Sequence, residues 1–582
     1  MIESAVEMTT RDGVTLVADV YRPAADGRWP TLLHRTPYDR TDPTLVSAIV
    51  ADPLWLARQG FAVVVQDVRG RFASGGDLDF AHQEHDDGHD AVEWAAAQPW
   101  SDGAVGVYGS SYHAISAYAA VAARPPHLRA ALTMIGAADL APTVRPGGTF
   151  ELGFLTLYAL GQSLDAVRRL DVDDAEKAAL TGRIVAALSA PATTVGTLPL
   201  TDVDVLSDPR IAPYWADWLR HEPGDPYWDR PTVAADPGRV DVPLLQVASY
   251  RDFMAPTMFA LAARLAGDTR HRLVAGPWAH GGVYTGHTGA RVLPGTPGGV
   301  GTWGPLVAAW FDVHLRGGTG AAYPAAARWL GGEPVRYHVG GENRWASAPS
   351  WPPSSGAGTS WLLGSGGDAR SAAGDGHLRP DREARPDRDA RPVREDTADT
   401  VRADPRDPFP TCGGAFPAGV LGPDGIQDQR AVDHRADVLV YTSESLAEPV
   451  TTAGVPRLVL RFSSTAPDAD VCVTLVDVEP DGFAVPVAEG ALRTRYRLGG
   501  TRNWLVPGEP AEIEVALHDT AHTFRAGHRI RVHVAGACYP RRSRNLHTTT
   551  VPELGTLDEA VVAEHTVHHG PSRLVLPEVG AR

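Results

Sequence analysis

The residues best equipped for chemistry in this chain are a serine, an aspartate and a histidine far apart in sequence. Residues 104–108, AVGVY, run straight into Gly109-Ser110-Ser111-Tyr112 and then into HAISAYAAVAA. Strand, sharp turn, serine, helix is the setting of a nucleophile elbow. Gly109 lets the chain turn tightly, and the helix N-terminus behind the serine stabilises negative charge. Two serines compete. Ser111 has a glycine two residues before it and so takes the elbow position; Ser110 does not. The small residue expected after the elbow is Ala114 rather than glycine. A serine nucleophile needs a base, and the base needs an orienting acid. His280 closes GPWAH just after RLVAG, and Asp252 lies one strand earlier, in ASYRDFMAP. Singly, a loop aspartate caps turns and a loop histidine is solvated. Together they complete the chain order serine, acid, histidine.

Composition removes several other chemistries. The chain has 582 residues, 53 Lys+Arg and 70 Asp+Glu, for a formal net charge of −17. Its single lysine is Lys177, in the polar stretch DDAEKAAL with no Gly-rich loop before it. A P-loop lysine, a pyridoxal lysine and a serine–lysine dyad are therefore excluded, which leaves histidine as the base. The acidic balance argues against nucleic acid as a partner, since neutralising phosphates takes clustered cations. Cys412, Cys472 and Cys538 have no metal-ligand spacing and fit a reducing compartment. The N-terminal MIESAVEMTTRDG has no apolar core of a signal peptide, and no run approaches the roughly 20 apolar residues of a membrane span. A cytoplasmic protein acting on a small molecule, with no membrane partner, is the expectation. Homo-oligomerisation stays open.

The elements that must hold these residues can be read from periodicity. TLVADVY, TLLHRTP, FAVVVQDV, AVGVYGS and ALTMIG read as short, nearly all-apolar strands. Helical stretches lie between them, near LVSAIVADPLWLARQG, HDDGHDAVEWAAAQ and YHAISAYAAVAA. That is the pattern of a parallel sheet covered on both faces. Residues 137–238 hold helical segments and no clear strand, an insertion expected to cap the site. Alternation resumes with VPLLQVASY, PTMFALAARLAG, HRLVAGPWAH and WGPLVAAWFDVHLRGG. Beyond about residue 345 come alternating strands such as DVLVYTS, PRLVLRFSS, DVCVTLVDV, AEIEVALHD and HRIRVHVAG. These favour a β-sandwich of the jelly-roll or Greek-key kind. The expected domains are therefore 1–136 and 239–345 as the two parts of an α/β-hydrolase domain, 137–238 as a helical cap, and 346–582 as a jelly-roll. Residues 364–409, with RPDREARPDRDARP, read as irregular or flexible.

Longer segments make the chain resemble the cocaine esterase / X-Pro dipeptidyl-peptidase family of serine hydrolases, which includes α-amino-acid ester hydrolases. They are RTPYDR (35–40), QDVRGRFASGG (66–76), PWSDGAVGVYGSSY (99–112), RLVAGPWAH (272–280), VLVYTS (438–443), RAGHRIRVHV (525–534) and PRRSRNLHT (540–548). They follow the family order over nearly the whole chain. The resemblance implies an α/β-hydrolase domain, a helical cap and a C-terminal jelly-roll. It also implies an oxyanion hole made by the Tyr38 hydroxyl and the backbone N–H of Tyr112. On its own, Tyr38 reads as a loop aromatic after a strand. In one place the chain departs from the pattern. The family acid directly follows an aromatic, but here the segment is Tyr250-Arg251-Asp252, so Arg251 falls on the acid position. Asp252, one place later, is expected to serve; an acid from elsewhere and an incomplete triad are the alternatives. Losing the orienting acid costs about 10⁴ in turnover.

The expected activity is hydrolysis of a carboxylic ester or amide, including aminoacyl and Xaa-Pro substrates, through an acyl-enzyme on Ser111 with no metal or organic cofactor. An acyltransferase or cyclase using the same acyl-enzyme, and a non-catalytic binding protein on the same fold, are the rivals. Several other features read as structural. AHQEHDDGHD (81–90) lacks HExxH spacing and reads as the solvated start of a helix. HTVHHG (565–570) reads as a surface strand end, and Arg69 and Arg71 as parts of a structural loop. Trp55, Trp100 and Trp303 read as core. The cap carboxylates Asp165, Asp171, Asp173, Asp174 and Glu176 could meet a free amino terminus but more often face solvent.

Overall fold

A computed structural model describes the chain except residues 45–49, 230–232, 234–235, 354–357, 382–396, 418 and 580–582. The first ten strands form one sheet: β1 (Ile2–Thr9), β2 (Thr15–Tyr21), β3 (Trp29–Thr36), β4 (Ala62–Asp67), β5 (Ser101–Ser110), β6 (Leu128–Met134), β7 (Leu244–Arg251), β8 (His271–Ala279), β9 (Val335–Val339) and β10 (Arg344–Ala348). Their order is β1-β2-β4-β3-β5-β6-β7-β8-β9-β10. Pairing is parallel from β4 through β9 and antiparallel at both edges.

The helices are α1 (Pro53–Arg58), α2 (Glu84–Ala96), α3 (Tyr112–Ala123), α4 (Leu152–Arg169), α5 (Asp174–Ser189), α6 (Pro213–Arg220), α7 (Ala255–Arg264) and α8 (Val300–Arg316), with shorter turns between them. Both sheet faces are covered, and the strand period of two shows it directly. Leu32 and Val63 pack toward α1 and α8, while their neighbours Leu33 and Val64 pack toward α2, α3 and α7. Every residue of β4 is buried. Doubly buried strands are why these segments read as apolar runs without alternation.

Because β3 and β5 to β8 are parallel, their C-terminal ends share one edge of the sheet. Ligands of open α/β sheets bind at that edge. The described residues of 137–229 lie over it. There α4 and α6 contribute Leu155, Trp215 and Trp218 to a core shared with Phe80, Tyr112 and Phe253 from the sheet side.

The rest of the chain is β: β11 (Thr359–Gly364), β12 (His377–Pro380), β13 (Ala398–Ala403), β14 (Val438–Ser443), β15 (Val450–Gly454), β16 (Arg457–Ser464), β17 (Asp470–Val478), β18 (Ala484–Arg493), β19 (Ala511–Ala516), β20 (Thr520–Phe524), β21 (Arg529–Ala535) and β22 (Ala563–Leu576). They enclose one apolar core that includes Leu460, Phe462, Leu475, Val515, Val532 and Leu574. The result is an all-β, jelly-roll-like sandwich after an α/β-hydrolase sheet.

Four local expectations change. The first sheet runs to Ala348, past the expected change near residue 345, because β10 pairs antiparallel with β9. The stretch 364–409 is not irregular throughout. β12 pairs with β11 and β14, and β13 pairs with β22; most of the Arg-Pro-Asp repeat falls outside the described residues. HTVHHG is not a surface strand end. It lies inside β22, between β13 and β16, and buries His565 and His569. The start of α2 is only half solvated, for a reason that belongs to the site.

Candidate active site

The elbow is built as its sequence requires. Ser111 directly follows β5 and caps α3 with φ 55° and ψ −126°, a strained conformation that thrusts its side chain off the sheet edge. Its amide donates to Met134 O at 3.0 Å, tying the turn to the neighbouring strand. A Cβ at Gly109 would stand 2.4 Å from His113 Cβ, so only glycine fits there. The departure at Ala114 is absorbed across the turn. A Cβ on Gly136 would lie 2.3 Å from Ala114 Cβ, so Gly136 provides the space that a glycine at 114 would have left.

Ser111 Oγ lies 3.2 Å from His280 Nε2, and His280 Nδ1 lies 2.5 Å from Asp252 Oδ2. Asp252 is fully buried, and its other oxygen accepts from the Met254 amide at 2.7 Å. Serine, imidazole and carboxylate therefore form one unbroken chain of contacts. Ser110 is turned away: it is buried and accepts from the Tyr284 hydroxyl at 2.9 Å.

Strand pairing puts Asp252 in this chain of contacts. Between Ser249 and Arg251 β7 advances two residues while its partner β8 advances three, from Gly276 to Ala279. A bulge of this kind re-aims the side chains beyond it. Here it falls at Pro277-Trp278, just before His280. Successive strand residues point opposite ways. Arg251 turns from the histidine and donates to Pro277 O and Pro486 O, both at 3.0 Å, while Asp252 turns toward it.

Tyr38 lies two residues beyond the end of β3, the strand beside β5. Its ring meets Tyr112 and Tyr158 edge-on, at centroid distances of 6.5 and 6.4 Å. Burial pushes its hydroxyl up to about 12, with Tyr158 and Ser111 beside it pulling the other way. It is thus a proton-bearing donor at any ordinary pH. The Tyr112 side chain points elsewhere, donating to Glu84 Oε1 at 3.1 Å and accepting from the Ala81 amide at 3.2 Å. Glu84 and Asp87 are buried at the start of α2, where Arg35 pairs with both and Arg69 also pairs with Asp87. This is why AHQEHDDGHD is not a solvated face. Its acids neutralise two arginines under the elbow.

Arg71 donates to Pro37 O at 3.0 Å and Gln162 O at 2.8 Å, fastening the Tyr38 loop to α4. Both arginines of QDVRGRF are thus structural. Three of the five cap carboxylates are likewise engaged. Asp165 accepts from the Phe72 amide and from Arg168, Asp173 caps α5, and Glu176 pairs with Arg210. Trp303 is buried in the sheet core and Trp100 nearly so.

Sequence reasoning missed the walls of the site. A narrow cavity at Ser111 is lined by Tyr38, Phe154, Tyr158, Phe253 and Met254, with aliphatic side chains deeper in and no carboxylate among its lining residues. The available signal was in α4, where Phe154 and Tyr158 stand four residues apart and so share a helix face. Among the described residues, no group of three or more His, Cys, Asp or Glu side chains is placed to hold a metal ion. None of the described helices is long and apolar enough to cross a membrane.

Comparison with known proteins agrees with this architecture. Residues 12–282 match the family model of the X-Pro dipeptidyl-peptidase (S15 family), and residues 328–575 match the X-Pro dipeptidyl-peptidase C-terminal non-catalytic domain. The chain is 33% identical to the cocaine esterase of Rhodococcus sp. (strain MB1 Bresler), over 99% of this chain and 98% of that one. An α-amino acid ester hydrolase shares its fold at a TM-score of 0.78 and 24% identity, covering 99% of this chain and 96% of the other. An aminopeptidase from a marine sediment Thaumarchaeota archaeon does so at 0.76 and 22%, covering 98% and 95%.

Proposed function

The chain belongs to the X-Pro dipeptidyl-peptidase (S15) family of serine hydrolases, which act on an ester or amide through an acyl-enzyme, and from that premise we propose that Ser111 carries the acyl group and that the acyl group is apolar and uncharged. The observation that carries the first part is the contact chain Ser111 Oγ, His280, Asp252. Ser111 attacks the carbonyl carbon as His280 Nε2 takes its proton. Asp252 holds the imidazole tautomer and steadies the imidazolium. The Tyr38 hydroxyl and the Tyr112 amide receive the oxyanion, and preorganised donors of this kind are each worth about 3–4 kcal/mol. His280 returns the proton to the leaving group, then activates the water that releases the acid.

The second part rests on the aromatic and aliphatic lining of the Ser111 cavity. An ammonium group there would lose its hydration without gaining a carboxylate, a cost of several kcal/mol. An apolar acyl chain gains about 25 cal/mol per Å² buried. This favours simple carboxylic esters over aminoacyl esters and Xaa-Pro peptides, whose free amino terminus needs a counter-charge. The three free thiols, which find no disulfide partner here, support a reducing cytoplasmic location.

One experiment covers both parts. Wild type and Ser111→Ala are exposed to a fluorophosphonate probe, then assayed on p-nitrophenyl butyrate, an aminoacyl ester and an Xaa-Pro anilide. The expected result is labelling of Ser111 alone, loss of about 10⁴–10⁶ in kcat on its removal, and preference for the butyrate. Retained activity in Ser111→Ala would refute the nucleophile. A preference for either amino-terminal substrate would refute the acyl assignment.

A further inference from the structure

Beside Arg251 at the end of β7, residues of the two sheets line a second, larger cavity, of about 490 Å³. This is within the usual size of a small-molecule site. From the first sheet it is lined by Arg251 and Pro277, from the loop after β8 by Leu293, and from the sandwich side by Ile426, Val485 and His522, among others. Arg251 is its unusual member. It is 9% exposed, and among the described residues no carboxylate forms an ion pair with it. Its two terminal nitrogens are used on Pro277 O and Pro486 O, but its Nε is buried without an acceptor.

A buried charge lacking a counter-ion is costly, and folded proteins pair such charges. The carboxylate that acts electrostatically on Arg251 is Glu489, which is itself bonded to Arg541 and the Ala415 amide. Burial lowers the Arg251 guanidinium only to about 10, with Glu489 and Tyr250 opposing, so it stays charged at neutral pH.

Two of the three acids on the cavity wall are already engaged. Asp477 accepts from His522 Nε2 and His528 Nδ1, both at 2.8 Å, and Glu479 pairs with Arg291. Among the described residues Asp481 accepts only a backbone amide, from Phe483. Arg525, at the mouth, is exposed and makes no ion pair among the described residues. The uncommitted charges are thus two guanidiniums against one carboxylate, set among Leu293, Ile426 and Val485.

We propose that this cavity binds a small monocarboxylate, with its carboxylate on the Arg251 guanidinium and Arg525 and its apolar part against the aliphatic wall. One buried guanidinium at Arg251, with Asp481 nearby, favours a singly charged group over a dianion such as phosphate. Acids released by ester hydrolysis belong to this class. The site neither includes Ser111 nor depends on which carboxylate orients the histidine.

The test is calorimetric titration of the full chain with sodium butyrate after Ser111 has been blocked by a fluorophosphonate. Blocking is checked first by intact mass, so failure of the serine to react is seen separately from failure to bind. Saturable binding is expected in the blocked wild type. Affinity should fall at least tenfold in Arg251→Gln and several-fold in Arg525→Ala, and butyramide should not bind. Arg525→Ala removes only an exposed side chain and decides the matter if Arg251→Gln does not fold. Absence of saturable binding to the blocked wild type, or equal affinity in Arg525→Ala, would overturn the proposal.

Discussion

The cavity at Ser111 and the seam between cap and sandwich treat charge in opposite ways. At Ser111 charge is scarce. One buried carboxylate faces one imidazole, and the walls are aromatic or aliphatic. At the seam charge is dense and locked. Arg493 pairs with Asp470 and Glu553, Glu553 also meets Arg145, and Arg145 donates to Trp218 O and Leu219 O in α6. Arg541 joins Glu151 of the cap to Glu489 of β18. Burial would raise the Glu553 carboxyl, but Arg493 and Arg145 overcome it and hold it down to about 2. Glu489 is likewise held down to about 2, burial being outweighed by Arg541 and His518. A proton-transfer site needs one movable proton and neighbours that do not compete for it. A seam needs charges that never change, because each has several partners. The seam positions the cap, and the cap brings Trp218 edge-on to Phe80 over the site, at a centroid distance of 4.8 Å.

The sharpest way to break this contrast is Asp252→Asn. It should lower kcat by about 10⁴ and leave the thermal midpoint nearly unchanged, since the amide keeps the shape but favours the wrong imidazole tautomer. Steady-state kinetics on p-nitrophenyl butyrate with a melting curve will show it. An unchanged rate would move the acid away from residue 252.

Glu553→Gln should do the reverse. It leaves two buried guanidiniums short of a counter-charge, a loss of about 3–5 kcal/mol in stability. Denaturant unfolding measures that loss, and folded protein at low temperature should still label at Ser111. The pH dependence has a definite sign. A carboxyl held down in the folded state stabilises above its unfolded value, about 4.3, and that stability is lost as pH falls toward 2. Wild type should therefore lose stability below about pH 4.3, and Glu553→Gln should lose less over that interval.

The smallest of these effects is expected for Tyr38→Phe, which removes one oxyanion donor and no charge. It should lower kcat by about 10²–10³ with KM little changed. An equal fall in labelling rate by the probe, whose phosphoryl oxygen occupies the same place, would sharpen the assignment. No effect on either rate would remove Tyr38 from the oxyanion hole.

The sequence alone determined much of this protein. The elbow at Ser111 was legible because a strained strand-to-helix turn demands glycine at 109 and small residues behind it. The parallel sheet was legible because strands buried on both faces are apolar without alternation. Edge and pairing-dependent strands such as β10, β12 and β13 were not, since short polar segments become strands only when a partner supplies their hydrogen bonds. The same limit hid the burial of Glu84 and Asp87, whose reason is two arginines distant in sequence. The choice between residues 251 and 252 illustrates it best. Both stand at the end of β7, and composition cannot say which faces His280. Side-chain direction at a strand end follows from register, and register here depends on the extra residue in β8. Tertiary structure thus directed Asp252 to the histidine and turned Arg251 into the cavity behind it, because the facing strand sets the pleat on which both are carried.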